Sequence, residues 1–235
     1  MSESGVCSRR AGEELIKEGQ VTVNGKTAQL GTRVNPERDV VKVGPKRIQS
    51  KFTKPVVYLV NKPKGFTCSN DDPHADRLIF ELLEARHRNI RLFCAGRLDV
   101  DSEGLVILTN DGKLTHKLTH PSQQVRKKYQ VEINEPLERD AFRGMLDGIE
   151  DEGDFLQLDE IRSKFGNPVG STKLEIIMGH GKKREIRRCF KRFRYQVKKL
   201  RRIAIGGLKL GKLPLGTYRE LKEKEIDLLF PKQIS

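Results

Sequence analysis

Apolar residues recur along the chain with periods that change from place to place, and those changes divide it into elements. Residues 8–18 (SRRAGEELIKE) carry Ala11, Leu15 and Ile16 on one face of a helical repeat, with Ser8 placed to cap the start and Gly19 to stop it. Val21 and Val23 then alternate with polar residues into Asn24-Gly25, a strong tight-hairpin signal, and a second alternating stretch ends near Val43. This predicts a compact helix-and-hairpin unit over residues 1–45. From Gly44 to Pro55 the chain is basic, polar and without period, with prolines near both ends, so residues 46–55 are expected to be a linker.

The larger part, residues 56–235, opens with an unbroken apolar run, Val56 to Val60, that predicts a buried strand. It leads into Asn61-Lys62-Pro63-Lys64-Gly65, whose proline and glycine predict a turn. Residues 76–87 place Leu78, Ile79, Leu82 and Leu83 at helical spacing. Strands are expected at 105–109, 127–133 and 173–178, with a helix at 138–147. Irregular alternation of strands and helices makes the fold class α+β with a mixed, largely antiparallel sheet.

Charge adds a partner class. Forty-six Lys and Arg against 32 Asp and Glu leave a net charge of +14, which suits a polyanion, above all nucleic acid. Between Gly179 and Lys212 stand 14 of those cations and one acid, Glu185, so the basic character is local. Within that stretch Ile186, Cys189, Phe190 and Phe193 share one helical face, while Arg184, Arg187, Arg188 and Lys191 share another. A cationic face of nearly one sign favours phosphate contact over an ordinary solvated surface.

Other classes find little support. No apolar run is long enough to span a bilayer, and the start lacks the apolar core of a signal peptide, so a soluble cytoplasmic protein is expected. Cys7, Cys68, Cys94 and Cys189 lack the paired spacing of zinc or redox motifs and read as reduced and mostly structural. His116 and His120 are helically spaced, but no glutamate base lies between them and Pro121 follows; no metal site is expected. The glycines among the basic residues fit no phosphate-binding loop, so neither ATP nor a dinucleotide cofactor is expected.

The segment richest in candidate chemistry is Gly96-Arg97-Leu98-Asp99-Val100-Asp101-Ser102-Glu103-Gly104-Leu105, followed by VILTNDG. Its charges lie where a loop enters a strand. On composition alone a surface turn is the plainer reading, and calcium is disfavoured because the loop is short and its oxygen ligands irregular. Taken together, GRLDVDSEGL with LTNDG, KKYQV at 127–131 and HGKKREIRR at 180–188 resemble the ribosomal RNA pseudouridine synthases of the RsuA, RluB, RluE and RluF type. SESGVCSRRAGEELIKEGQVTVNGK at the front is similar to the small S4-like RNA-binding domain of that branch. NKPKG at 61–65 and LPLGTYREL at 213–221 also match family segments in order. Departures are few: the basic-apolar segment that usually opens the front domain is lacking, Lys183 and Glu185 stand where the family more often has an amide, and Cys189 where it often has Met.

The resemblance implies a cofactor-free isomerisation of uridine to pseudouridine in structured RNA, with large-subunit ribosomal RNA favoured and transfer RNA as a second substrate class; a monomer is the default expectation. It implies that Asp99 is the essential aspartate, Arg187 its cationic partner and Tyr129 the aromatic that packs on the target base. Arg97 would fill the space left by a flipped nucleotide, Ile186 would pack beneath the site, and Arg184, Arg188 and Lys191 would meet RNA. In the front domain Ser8, Arg9, Arg10 and Lys26 would contact RNA. A non-catalytic RNA-binding assembly factor is the competing reading, and a DNA-binding architectural protein a weaker one. Asp99 separates them, since a pure binder gains nothing from a carboxylate facing a polyanion.

Overall fold

The computed structural model describes residues 1, 4, 6–48, 54–70, 72–88, 90–164 and 166–230. The chain divides into two compact units, Met1–Pro55 and Val56–Ser235, each described by itself.

In the front unit α1 spans Arg9–Lys17, and the Ser8 side chain caps it by accepting from the Ala11 N–H at 3.1 Å. The buried position on α1 is Gly12, packed near Met1 and Cys7; Leu15 and Ile16 are half-buried and Ala11 is exposed, which corrects the expected packing face. Strands β1 (Val21–Val23), β2 (Lys26–Thr27), β3 (Val41–Val43) and β4 (Lys46–Arg47) form an antiparallel sheet in the order β2-β1-β3-β4. Asn24 and Gly25 both adopt positive φ in the β1–β2 turn, the backbone that this dipeptide favours. Because β4 pairs with β3, Lys46 and Arg47 belong to a hairpin and not to the expected linker; residues 49–53 of that linker lie outside the described residues.

The second unit starts with β5 (Val57–Lys62), buried along its length. Its side chains alternate between two apolar clusters, Val57 and Leu59 in one, Tyr58 and Val60 in the other; each such side chain taken out of water contributes about 1.5–3 kcal/mol. The strand runs on through Asn61 and Lys62, so the turn begins only at Pro63. Residues 76–87 do not form the expected helix. Leu78 bridges to Thr67 in extended conformation, a 3-10 turn covers Ile79–Leu82, and α2 is confined to Ala85–Arg88. Ile79, Leu82 and Leu83 still reach the core, but pairing of Leu78 with Thr67 takes the backbone that a helix would need.

Then follow β6 (Phe93–Ala95), β7 (Glu103–Thr109), α3 (Gly112–Thr119), β8 (Lys127–Ile133), α4 (Arg139–Asp147), β9 (Ile149–Asp151), β10 (Asp154–Leu156), β11 (Glu160–Ser163), β12 (Lys173–Met178), α5 (Glu185–Arg192), β13 (Val197–Ile205), β14 (Leu208–Lys209), β15 (Tyr218–Glu220) and α6 (Glu223–Asp227). The main sheet runs β11-β12-β8-β13-β7-β5-β15, with β6 beside β7 and β14 beside β13. It is antiparallel except where β13 meets β7, so it is mixed as expected. That parallel seam depends on Gly104: at φ +109°, a Cβ there would lie 2.2 Å from the Arg202 carbonyl oxygen. The loop from Gly96 to Ser102 ends at this seam.

Candidate active site

A cleft of about 720 Å³ opens beside the seam, lined among others by Arg97, Asp99, Tyr129, Arg184, Ile186 and Arg202. Segments separated by up to a hundred residues meet there because β7, β8 and β13 are neighbours and α5 packs on the same side, sharing an apolar cluster with Tyr129 and Leu200.

Two buried cations shape the loop that carries Asp99. Lys62 Nζ donates to the carbonyls of Ser102 at 2.7 Å and Pro63 at 2.9 Å. Arg202, only 1% exposed, donates through Nε to the Leu105 carbonyl at 2.8 Å and through its other nitrogens to the carbonyls of Gly96 and Arg97. The loop therefore wraps its carbonyl dipoles around fixed positive charge, which satisfies backbone acceptors that would otherwise be buried unpaired. Burial pushes the Lys62 ammonium below its ordinary value. Neither residue was singled out in the sequence.

The acids divide into two kinds. Asp101 is occupied: Arg184 forks onto it with bonds of 3.1 and 2.9 Å, and Arg187 Nε lies 3.3 Å from its Oδ2. Although burial opposes ionisation, the Arg184 bond and the two guanidinium charges hold its carboxyl below the usual range. Among the described residues no donor is hydrogen-bonded to the Asp99 carboxylate; its cation is Arg184, with Nη1 3.9 Å from Oδ2. The expected fork from Arg187 is not formed: its guanidinium serves the carbonyls of Val197 and Asp101, while its charge acts on Asp99 from further off.

Arg184 reaches both acids from the N-cap of α5, where its backbone is left-handed, φ +53°. The preceding loop is clamped by His180, which lies 3.1 Å from both Asp159 and Glu185, while the Lys182 N–H donates to Glu185 at 2.8 Å. Glu185, the acid in the basic stretch, thus anchors the loop. Tyr129 is 9% exposed and lies under Arg202, whose guanidinium carbon is 6.0 Å from the ring centre. Ile186 is buried and Arg97 exposed at the cleft.

Arg188 and Lys191, on the same cationic face of α5, lie outside the lining of the cleft. Arg188 donates to Asp151 at 2.6 Å and to Asp154 at 2.7 Å, tying α5 to the β9–β10 hairpin away from the cleft lining. Lys191 is exposed but likewise outside the lining. In the front unit Arg9, Arg10 and Lys26 are exposed, whereas the Ser8 hydroxyl is used as the cap. His116 and His120 stack with ring centres 4.8 Å apart, and no cluster of three metal-binding side chains occurs among the described residues. No helix among them is long and apolar enough to cross a membrane.

The profile of the RNA pseudouridylate synthase family matches residues 56–192, and that of the S4 domain matches residues 1–41. An RNA pseudouridine synthase of Aquifex aeolicus (strain VF5) is 39% identical over 232 residues, 98% of this chain and 91% of the relative. The dual-specificity RNA pseudouridine synthase RluF of Escherichia coli (strain K12) is 34% identical over 231 residues, 98% of this chain and 76% of the relative. A crystal structure of a pseudouridylate synthase superposes with a TM-score of 0.69 at 27% identity, covering 97% of this chain and 96% of the other.

Proposed function

Because the chain belongs to the RNA pseudouridine synthases, enzymes that isomerise uridine in RNA, we propose that Asp99 is the carboxylate that attacks or deprotonates the target nucleotide. One observation carries the reading: Asp99 lines the cleft, faces a cation and has an uncommitted carboxylate, whereas Asp101 is saturated by arginines. A reacting carboxylate must be free of competing donors, and Arg184 brings its charge to 3.9 Å without occupying the attacking oxygens.

The uridine is flipped from its stack to reach the cleft. Tyr129 packs on the base, with its hydroxyl available to assist proton transfer. Arg97, exposed at the cleft, enters the space the base leaves, and Ile186 forms the apolar floor. The strongly basic composition and the S4 domain support a structured RNA target. We favour large-subunit ribosomal RNA in the cytoplasm, modified by a monomer needing no cofactor; Arg9, Arg10 and Lys26 of the front unit then hold flanking phosphates. The dual specificity named for one relative makes transfer RNA part of the test.

That test is pseudouridine mapping of ribosomal and transfer RNA from cells lacking the gene, rescued with either the parent protein or Asp99→Asn. A uridine whose modification is lost and returns only with the parent establishes target and residue together. Rescue by Asp99→Asn would remove Asp99 from the chemistry.

A further inference from the structure

A second cavity, of about 630 Å³, lies on the face of the main sheet opposite the cleft. Strand register puts it there. Side chains alternate along a strand and directly paired residues share a face, so Leu200 with Val131 and Arg202 with Tyr129 turn to one side, and Arg201 with Gln130 to the other. A bulge after Arg202 inserts Ile203, and Ala204 then pairs with Lys128 on the far face. Lys209 of β14 pairs with Ala204 in turn. Lys128, Ala204 and Lys209 therefore stand side by side across three strands, and the short side chain between the two lysines leaves a hollow.

Its lining includes the cations Arg126, Lys127, Lys128, Arg201 and Lys209 and no acid. Two of them are neutralised from outside: Arg126 pairs with Glu160, and Lys128 with Glu175 at 3.0 Å. Arg201 and Lys209 are not. Among the described residues their side chains make no hydrogen bond or ion pair, and the Arg201 Nε is buried without an acceptor. Glu103, beside Arg201 across the parallel seam, lies 4.0 Å from Lys199 instead. Gathered like charges repel, and buried donors without acceptors are rare; one anion in the hollow answers both. Lys127, the first residue of β8, lines this cavity and the cleft alike, so positive charge is continuous over that end of the sheet.

We propose that this cavity is a second RNA-binding site, which takes backbone phosphates of a segment flanking the target uridine where the strand leaves the cleft and crosses the sheet end at Lys127. Arg201 supplies a planar fork for two phosphate oxygens, and Lys209 a point charge beside it. The rest of the lining, with Ile177, Ile203 and Leu210, offers little that could read a base edge. Phosphate contacts fix register and carry no sequence information, so the site lengthens the RNA footprint and leaves the choice of uridine to the cleft. The proposal rests on RNA being the polyanion that enters the cleft.

The experiment measures filter binding of ribosomal RNA from cells lacking the gene to the full chain, as parent, Arg201→Gln, Lys209→Gln, the double variant and Lys198→Gln, over a series of salt concentrations. Lys198 is exposed near the other end of β13 and lines neither cavity, so it controls for losing one charge anywhere. Arg201→Gln and Lys209→Gln are each expected to lower the slope of log K against log salt by about 1, and the double variant by about 2. Lys198→Gln should keep the parental slope. Lys209 is exposed, so its variant tests the site even if Arg201→Gln melts early. A parental slope in Lys209→Gln overturns the proposal, as it would if the cavity received an acidic protein. An equal fall in Lys198→Gln overturns it as a general effect of charge. A parent that binds no ribosomal RNA, or binds it without salt dependence, removes the ribosomal RNA reading and this site with it, whereas parental binding with unchanged variants removes this site alone.

Discussion

Arg184 places its Nη1 3.9 Å from the Asp99 Oδ2 while forking onto Asp101, so one guanidinium reads two carboxylates of the same loop. Arg187 lies deeper, and its bonds to the Val197 and Asp101 carbonyls join α5 to β13 and to the loop. The two arginines should therefore fail differently. Arg184→Ala is expected to lower kcat about 100-fold, the scale of removing one electrostatic donor from a reacting centre, with modest loss of stability. Arg187→Ala should cost about 2–3 kcal/mol of stability, reduced from the range for a fully buried pair because Asp101 stays partly wet. Urea unfolding beside single-turnover kinetics separates them; a reversed pattern would restore Arg187 as the catalytic partner.

Much of this was legible in the sequence and some could not be. The strand at 127–133 follows from its alternation, that at 173–178 from alternation running into an apolar end, and α4 from its apolar spacing. The central strand β13 was hidden inside the basic run, since its alternation passes through Arg202, a buried residue that reads as a surface one. Helix α3 was missed because it carries only Leu114 and Leu118 on its buried face and depends on Asp111, which accepts from the N–H groups of Lys113 and Leu114. The cationic face of α5 was visible, but not the acids that neutralise it: Asp101 and Asp151 arrive from 86 and 37 residues away. No local pattern reports such pairings.

Arg188 illustrates the consequence. Its bonds to Asp151 and Asp154 fix the β9–β10 hairpin against α5, so it should act on folding and not on RNA. Arg188→Ala is expected to lower Tm by several degrees and leave the affinity of the folded protein for RNA unchanged, with no loss in the slope of log K against log salt. Loss of one unit of that slope would mark a phosphate contact instead.

Gly104 sits where β7 and β13 run parallel, at φ +109° and with the Arg202 backbone at the position of a Cβ. Gly104→Ala should destabilise by at least about 2–3 kcal/mol, from left-handed strain and overpacking together. The seam would open beside the Asp99 loop, so turnover should fall in protein that is still folded. Thermal melting and activity at low temperature test both; a variant with parental Tm would show that the seam can relax.

Lys127 gives the clearest pH dependence. It lines the cleft, donates to the Val125 carbonyl at 2.8 Å, and is brought down to about 8 by burial and the Arg202 charge, from an ordinary 10.5. Between those values the unfolded chain binds a proton that the folded chain lacks, so this group destabilises the fold fully below pH 8 and the penalty disappears as pH rises through that window. RNA affinity should move the opposite way, because the cleft loses a cation as pH passes 8. Filter binding is expected to show affinity falling above pH 8 for the parent and a weaker, flat profile for Lys127→Met. An equally steep fall in the variant would assign the titration to another group in the cleft.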